Sequence, residues 1–281
     1  MQYLVHRGER IPLIGFGTYR LGSAQREAEL CTLRYGIDEL GMTLVDTAEM
    51  YGGGLSEEIL GECIKGMDRG SLFIVDKILP SNAESGLYLE SCRKSLERLG
   101  TDYIDLFLLH WRGAVDLQDM VDNMERLVEL GLIRHWGVSN FDTHEMRELF
   151  ACKNGSNCFC DQILYNISQR GAEFDLIPWC RRHDVLVMAY SPLCNSYEAR
   201  MCVAGDEVIT DTADREGKTP ESLMLSFVIR GADVITVFKT SDISHLKWDM
   251  RGVFEPITAQ DMQALGARYA PPDKKYPLEK I

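Results

Sequence analysis

The sequence predicts an α/β protein built as a closed (β/α)8 TIM barrel, with an N-terminal β-hairpin closing the bottom. Three observations predict this fold. Short apolar segments alternate with amphipathic segments roughly eight times along the chain. The apolar segments are rich in β-branched and aromatic residues, which is typical of strands buried on both faces. No linker or abrupt change of composition interrupts the alternation, so we expect one domain over residues 1–281.

The predicted strands and helices follow one another with short connections. The helical segments 85–100 and 116–131 each end at a glycine, which is a common helix stop. The segment 218–231 opens with Thr219 as an N-cap and Pro220 at the first helical position. Such repeats indicate right-handed βαβ units and a parallel sheet. The predicted strands are 13–17, 43–46, 72–77, 103–110, 133–139, 159–165, 185–191 and 233–239.

An open, doubly wound sheet is the alternative arrangement of these repeats. That fold usually carries the dinucleotide turn G-x-G-x-x-G after an early strand, and the segment GFGTYRLG (15–22) does not fit it. Ahead of the repeats, the segment YLVHRGERIPL (3–13) is predicted to form a hairpin that turns at Arg7, Gly8 and Glu9. We expect this hairpin to plug the lower end of the barrel.

Charge and composition argue against several classes of partner. A net charge of −13 disfavours binding to nucleic acid or to anionic membranes. No segment resembles a signal peptide or a membrane span, so we expect a cytoplasmic protein. By default, we expect a monomer. The nine cysteines are then expected to be free thiols. Cys152, Cys158 and Cys160 are close in sequence, but a metal site would need a fourth ligand, and we expect none.

Polar residues follow three successive predicted strands. Asp46 ends the second strand and Tyr51 lies in the loop after it, while Lys77 and His110 end the third and fourth strands. Taken singly, each has a purely structural interpretation, such as a turn cap, a surface lysine or a satisfied core histidine. The carboxyl ends of barrel strands share one rim, however, and four titratable groups at one rim indicate a reaction site.

These four groups fit proton transfer to a carbonyl oxygen. A tyrosine with its ordinary pKa of about 10 is a weak acid at neutral pH. A lysine ammonium ~4 Å away, at an effective dielectric constant of ~20, contributes about 4 kcal/mol. We therefore expect Lys77 to lower the pKa of Tyr51, and Asp46 to keep Lys77 charged and oriented. The glycines at 52–54 allow the loop to bend so that the phenol faces the barrel mouth.

Seven segments along the chain form a specific combination of motifs: LVDTAEMYGGG, FIVDK, RKSLERLGTDYIDLFLLHW, IRHWGVSNF, DQILYN, MAYSPL and VFKTS. With them, the sequence resembles the aldo-keto reductase family over nearly its whole length. The resemblance implies reduction of an aldehyde or ketone with a nicotinamide cofactor, usually NADPH, and without a metal. It implies Tyr51 as the general acid, Lys77 and Asp46 as the pair that tunes it, and His110 as the donor that orients the carbonyl.

The same resemblance implies which residues bind the cofactor near its reactive end. Ser139, Asn140 and Gln162 match positions that hold the nicotinamide carboxamide. Tyr190 matches the aromatic residue that stacks on the nicotinamide ring. The residues expected at the pyrophosphate bridge are Ser191 and Leu193.

The adenosine 2′-phosphate end departs from the family pattern. Lys239 matches the lysine that meets this phosphate, and Thr240 and Ser241 follow it. His245 stands where the family often has arginine, and Asp249 stands where asparagine is usual. Histidine is a weaker, pH-dependent phosphate partner. We expect NADPH preference with reduced discrimination against NADH; the alternative is that Lys239 and His245 are only solvated surface residues.

Two other functions stay open on the sequence. A redox-sensing or regulatory module would bind the cofactor with little turnover. A barrel hydrolase would recruit Asp46, His110 and cysteines as metal ligands, although no paired-histidine spacing supports it. For the reductase, Trp111 is expected to line the substrate pocket or to pack in the core. The loops look short, which suits small-molecule carbonyl substrates of several kinds.

Overall fold

A closed barrel of eight parallel strands forms the centre of the molecule, in a computed structural model that describes residues 1–22, 25–83 and 86–280. The hairpin strands are β1 (Tyr3–His6) and β2 (Glu9–Pro12). The barrel strands are β3 (Ile14–Gly17), β4 (Leu44–Asp46), β5 (Phe73–Ile78), β6 (Ile104–Leu109), β7 (Ile133–Ser139), β8 (Cys160–Leu164), β9 (Leu186–Tyr190) and β10 (Val234–Phe238). They pair in chain order, and β10 closes the barrel against β3, which confirms the predicted fold and excludes the open sheet.

Helices cover the outside of the barrel between the strands. They are α1 (Arg26–Leu40), α2 (Leu55–Ile64), α3 (Tyr88–Leu99), α4 (Leu117–Glu129), α5 (Thr143–Ala151), α6 (Leu176–Arg182), α7 (Tyr197–Ala204), α8 (Glu207–Arg215), α9 (Pro220–Ile229), α10 (Ile243–Asp249) and α11 (Ala259–Arg268). Every residue of β5 and of β6 is buried, because the helices pack on the outer face of each strand while side chains fill the inside. Within the described part of the chain, no helix combines the length and the apolar character needed to cross a membrane.

Helix ends follow the predicted capping residues. Thr219 caps α9 by accepting a hydrogen bond from the Ser222 amide, and Pro220 occupies the first helical position. Gly100 ends α3 with φ 63°, a left-handed conformation that glycine adopts at little cost. The predicted helical segment 85–100 starts at a residue outside the described part of the chain. Leu87 precedes the helix and is 47% exposed.

The N-terminal hairpin covers the lower end of the barrel, as predicted. Arg7 and Gly8 have φ values of 46° and 86°, as a two-residue hairpin turn with both central residues left-handed requires. The Arg7 guanidinium donates to the Asn157 carbonyl at 3.0 Å and to the Asp184 carboxylate at 3.1 Å. Asn157 and Asp184 lie just before β8 and β9, so the hairpin is fixed to the amino ends of the barrel strands.

Candidate active site

Three of the predicted catalytic side chains form one hydrogen-bonded group at the carboxyl ends of β4 and β5. The Lys77 Nζ lies 2.7 Å from Asp46 Oδ1 and 3.2 Å from the Tyr51 hydroxyl. It also donates to the Thr47 carbonyl at 2.7 Å, so the three ammonium protons have three partners. Lys77 is 1% exposed and Asp46 is 4% exposed, so this ion pair is held away from water.

The glycines after Tyr51 explain how so short a segment presents a phenol to this group. Residues Tyr51–Gly54 form a single 3₁₀ turn, in which Gly52, Gly53 and Gly54 have φ values of 63°, 66° and 101°. Non-glycine residues rarely adopt these values. A Cβ at Gly54 would lie 2.7 Å from Arg98 Cδ. The glycines therefore let the chain reverse tightly against α3 and leave Tyr51 over Lys77.

Burial and charge act in opposite directions on the two proton-bearing groups. Burial lowers the pKa of Lys77, but Asp46 and Tyr51 outweigh it and raise that pKa above its ordinary value. Lys77 is therefore charged at neutral pH, as expected. For Tyr51, burial raises the pKa more than the Lys77 charge lowers it, and Asp46 raises it further. The expected lowering of the Tyr51 pKa is therefore wrong, because removing the phenol from water disfavours the phenolate more than the Lys77 charge favours it.

His110 lies beside Tyr51 as a neutral imidazole. It is 8% exposed, and burial together with the Lys77 charge lowers its pKa to about 3. Its ring centroid lies 5.7 Å from that of Tyr51 and 5.1 Å from that of Trp111. Trp111 is 38% exposed, which fits the predicted place at the pocket mouth. Tyr19, which is 51% exposed, packs on the other side of Tyr51 with a centroid distance of 5.2 Å.

The residues predicted to hold the nicotinamide carboxamide form a second connected group beside the first. The Ser139 hydroxyl lies 3.1 Å from Asn140 Nδ2, and the Tyr190 hydroxyl donates to Asn140 Oδ1 at 2.7 Å. Gln162 donates through Nε2 to Asp46 Oδ1 at 2.7 Å, so the two groups share a carboxylate. A hydroxyl and two primary amides are the donors and acceptors that a carboxamide needs, so this set fits a nicotinamide.

The residues predicted at the pyrophosphate lie in the loop after β9. Ser191 has φ 52°, and its carbonyl accepts a hydrogen bond from Asn166 Nδ2 at 3.0 Å. Leu193 is buried, with 7% of its surface exposed. Asn166 is fully buried and was not predicted as a site residue, although it follows Gln162 in the segment DQILYN. It holds this loop in its left-handed conformation.

The residues predicted at the adenosine 2′-phosphate lie after β10, apart from the Tyr51 group. Lys239 is partly exposed, and its Nζ lies 3.7 Å from Glu29 Oε1 at the start of α1. Thr240 is buried, Ser241 is half-buried and His245 is exposed. Glu29 is not predictable from the sequence as a neighbour of Lys239, because no local pattern shows that α1 passes the end of β10.

Near the predicted phosphate residues, Asp249 is held by an arginine. Arg200 Nη2 lies 3.4 Å from Asp249 Oδ1, and Asp249 is 1% exposed. Burial outweighs the Arg200 charge and raises the pKa of Asp249 to about 6. Its Oδ2 has no hydrogen-bond partner among the described residues.

The cysteines do not form a metal centre in the described part of the chain. All nine are free thiols. Cys158 and Cys160 are buried, and burial raises the pKa of both thiols. Cys152 is half-buried and donates weakly to the Glu148 carbonyl at 3.6 Å. Among residues 1–22, 25–83 and 86–280, no three histidine, cysteine, aspartate or glutamate side chains come together as a metal site.

Comparisons with known proteins give the same family. A sequence model of the aldo/keto reductase family matches residues 13–269. The methylglyoxal reductase YeaE of Escherichia coli is 37% identical over 273 residues, which cover 96% of this chain and 95% of that protein. An aldo/keto reductase from Klebsiella pneumoniae in complex with NADP and acetate has a TM-score of 0.94 and 39% identity, covering 99% of this chain and 98% of its own. A second Klebsiella pneumoniae structure, in complex with NADPH, has a TM-score of 0.94 and 38% identity over the full length of both chains. The chain belongs to the aldo/keto reductase family.

Proposed function

We propose that this protein reduces a small aldehyde or ketone to an alcohol with NADPH, using Tyr51 as the proton donor. The contact that carries the proposal is the Tyr51 hydroxyl 3.2 Å from the Lys77 ammonium, beside a neutral His110. Family membership makes the chain an NAD(P)H-dependent oxidoreductase that acts on carbonyl groups. The residue roles, the cofactor preference and the substrate are our proposals.

Bound NADPH supplies the hydride, and the side chains handle the proton and the developing charge. The raised pKa keeps the Tyr51 phenol protonated at neutral pH, so it is ready to donate to the carbonyl oxygen. As the proton leaves, the Lys77 ammonium stabilises the phenolate that forms. Neutral His110 can donate one ring N–H to the same oxygen and fix its position. Asp46 maintains the charge on Lys77.

The cofactor would lie across the carboxyl ends of β7 to β10. Its carboxamide would meet Ser139, Asn140 and Gln162, and Tyr190 would contact the nicotinamide ring. The pyrophosphate would lie against the loop that contains Ser191 and Leu193. The relatives from Klebsiella pneumoniae bound to NADP and to NADPH support this cofactor.

At the far end of the cofactor, Lys239 would meet the 2′-phosphate, with Thr240, Ser241 and His245 beside it. Glu29 lies 3.7 Å from Lys239 and would compete with the phosphate for the ammonium. The exposed His245 lacks the forked guanidinium with which an arginine would bind the phosphate. We therefore propose NADPH preference with weakened discrimination against NADH.

The pocket favours small carbonyl compounds. The aromatic rings of Tyr19 and Trp111 stand beside Tyr51 and His110, and they give the mouth an apolar lining around the proton donors. The relative YeaE is named a methylglyoxal reductase. We therefore propose 2-oxoaldehydes such as methylglyoxal as the first substrates to test.

We also infer that the chain works as a single domain and a monomer in the cytoplasm, without nucleic-acid or membrane partners. The net charge of −13 supports the absence of nucleic-acid and membrane partners, since nucleic acids and membrane surfaces are anionic. Light scattering of the purified protein tests the monomer.

A carbonyl panel followed by loss of NADPH absorbance tests the reaction. Tyr51→Phe removes only the proton donor, so we expect kcat to fall by about 100-fold or more, with the Kd for NADPH nearly unchanged. Tyr19→Phe is the matched control, because Tyr19 packs on Tyr51 yet lies outside the Lys77 group. Its kcat should stay within about threefold of that of the unaltered protein. Retained turnover in Tyr51→Phe would contradict the proposal. Cofactor binding without turnover on the whole panel would favour the redox-sensing module instead.

A further inference from the structure

We propose that Glu49 is a positioning residue that fixes the Tyr51 hydroxyl against the Lys77 ammonium, an inference that rests on the proposed reaction. Glu49 is half-buried and lies two residues before Tyr51. Its carboxylate spans the gap between the loop that carries Tyr51 and the end of β5, which carries Lys77. The two elements that must meet for proton transfer are thus joined by one side chain.

Three donors from separate parts of the chain hold this carboxylate. Glu49 Oε1 accepts from the Leu79 amide at 2.6 Å and from Asn82 Nδ2 at 3.0 Å. Glu49 Oε2 accepts from the Ser91 hydroxyl at 2.5 Å. Leu79 follows β5 directly, Asn82 lies in the next loop and Ser91 lies on α3. Because both oxygens are held, the side chain has little freedom to release the loop.

The carboxylate continues the hydrogen-bond ladder beyond the end of the paired backbone. After β4 ends, the Thr47 amide still donates to the Val75 carbonyl at 2.8 Å, and the Glu49 amide donates to the Lys77 carbonyl at 3.2 Å. The next donor along this edge, the Leu79 amide, is bound by the Glu49 side chain. The chain turns away after Glu49, so the side chain replaces the backbone acceptor that a longer strand would supply.

This connection closes a small ring of contacts around the reacting groups. Tyr51 lies two residues after Glu49, Lys77 lies two residues before Leu79, and the Tyr51 and Lys77 side chains meet at 3.2 Å. Besides this ring, the backbone amides of Thr47 and Glu49 hold the segment to β5, and three conformationally permissive glycines follow Tyr51. A displacement of about 1 Å in a reacting group can cost about 100-fold in rate.

Comparing Glu49→Ala with Glu49→Gln tests the proposal. Alanine removes all three contacts. Glutamine can still accept from Leu79 and Asn82, and its amide can donate to the Ser91 hydroxyl, which rotates to accept. Glu125→Ala is the matched control, because Glu125 Oε1 accepts from Trp136 Nε1 at 2.7 Å and from Asn157 Nδ2 at 3.0 Å. The Glu125→Ala variant therefore also loses side-chain hydrogen bonds, but these start from α4 and lie away from the rim that carries Tyr51.

We expect Glu49→Ala to lower kcat for carbonyl reduction by about tenfold or more, with KM for NADPH within about twofold. Amide hydrogen exchange at Leu79 and over residues 47–53 should accelerate. Glu49→Gln should restore kcat to within about threefold and restore slow exchange, and Glu125→Ala should keep kcat despite a lower Tm. Unchanged kcat and exchange in folded Glu49→Ala, or an equal loss of kcat in Glu125→Ala, would overturn the proposal.

The exchange measurement separates this inference from the proposed function. If the unaltered protein reduces no carbonyl compound, the proposed function fails. The exchange of the amides over residues 47–53 still reports whether Glu49 holds the loop, and unchanged exchange there in Glu49→Ala then overturns the inference on its own.

Discussion

The Lys77 ammonium lies 3.2 Å from the Tyr51 hydroxyl, yet the pKa of that hydroxyl is raised. Desolvation of the phenol is the largest effect, and the neighbouring cation only offsets part of it. The pair therefore keeps a protonated donor at neutral pH and stabilises the phenolate only when a proton has left. This arrangement suits the proposed reduction, because the proposed role of Tyr51 requires a phenol that begins protonated.

The Tyr51 pKa predicts the pH dependence of turnover. Since the pKa of Tyr51 lies above its ordinary value of 10.0 and that of His110 lies at about 3, neither group changes protonation between pH 6 and pH 9. We expect kcat for reduction to be flat over this range with saturating cofactor. A loss of kcat through Tyr51 should begin only above about pH 10. A basic limb of kcat centred near pH 8 would contradict the raised pKa of Tyr51.

The Asp46–Lys77 pair should show strong coupling. Lys77→Met leaves the buried Asp46 carboxylate without its cation, and we expect a loss of about 3 kcal/mol in the free energy of unfolding, with kcat falling by about 100-fold. Adding Asp46→Asn removes the unpaired charge, so the double variant should be more stable than Lys77→Met alone. Urea unfolding measures both effects.

An exposed ion pair provides the control for this prediction. Lys94 and Glu90 form an i,i+4 pair on α3 at 2.6 Å, with side chains 58% and 63% exposed. Lys94→Met should leave both the urea midpoint of unfolding and kcat nearly unchanged, because solvent screens an exposed ion pair. Equal effects of Lys77→Met and Lys94→Met would show that burial of the Asp46–Lys77 pair has no energetic consequence.

His110 should make the protein sensitive to acid. Its folded-state pKa of about 3 lies below the ordinary value of 6.5, so the unfolded chain binds the proton more readily. The stability contributed by neutral His110 is present above pH 6.5 and is lost as the pH falls toward 3. At pH 5 the loss relative to pH 7 is about 2 kcal/mol.

Glutamine at position 110 cannot gain a proton between pH 7 and pH 5. We therefore expect His110→Gln to lose about 2 kcal/mol less than the unaltered protein between pH 7 and pH 5, measured by urea unfolding at each pH. Comparing the pH-dependent losses cancels any effect of the substitution at pH 7. Parallel curves for the two proteins would contradict the lowered pKa.

The residue at position 245 should set the discrimination between cofactors. His245→Arg adds a permanent charge beside Lys239, and we expect it to tighten NADPH binding about tenfold without changing the Kd for NADH. Fluorescence titration of both cofactors measures the four constants.

Lys247 lies on α10, as His245 does, and provides the control for His245→Arg. Its Nζ lies 4.9 Å from the Tyr35 ring centroid, so its side chain is directed toward α1. Lys247→Met should leave the preference for NADPH unchanged. Tighter binding of NADH than of NADPH by the unaltered protein would defeat the proposed preference.

The sequence by itself determined the barrel and most of the residues at its rim. The alternation of apolar strands and capped helices is local, so it could be read along the chain, and each strand end showed which polar group follows it. The sequence therefore predicts that Asp46, Lys77 and Tyr51 share one rim, and their contact forms at the ends of β4 and β5.

Only the tertiary structure decided how these groups behave. The pKa of Tyr51 depends on how completely the packed barrel excludes water, which is a sum over residues that are distant in sequence. The pairing of Glu29 with Lys239 and the bonds of Glu49 to Leu79, Asn82 and Ser91 likewise join separate segments. A sequence pattern reports local spacing, whereas desolvation and long-range hydrogen bonds exist only after the chain has closed.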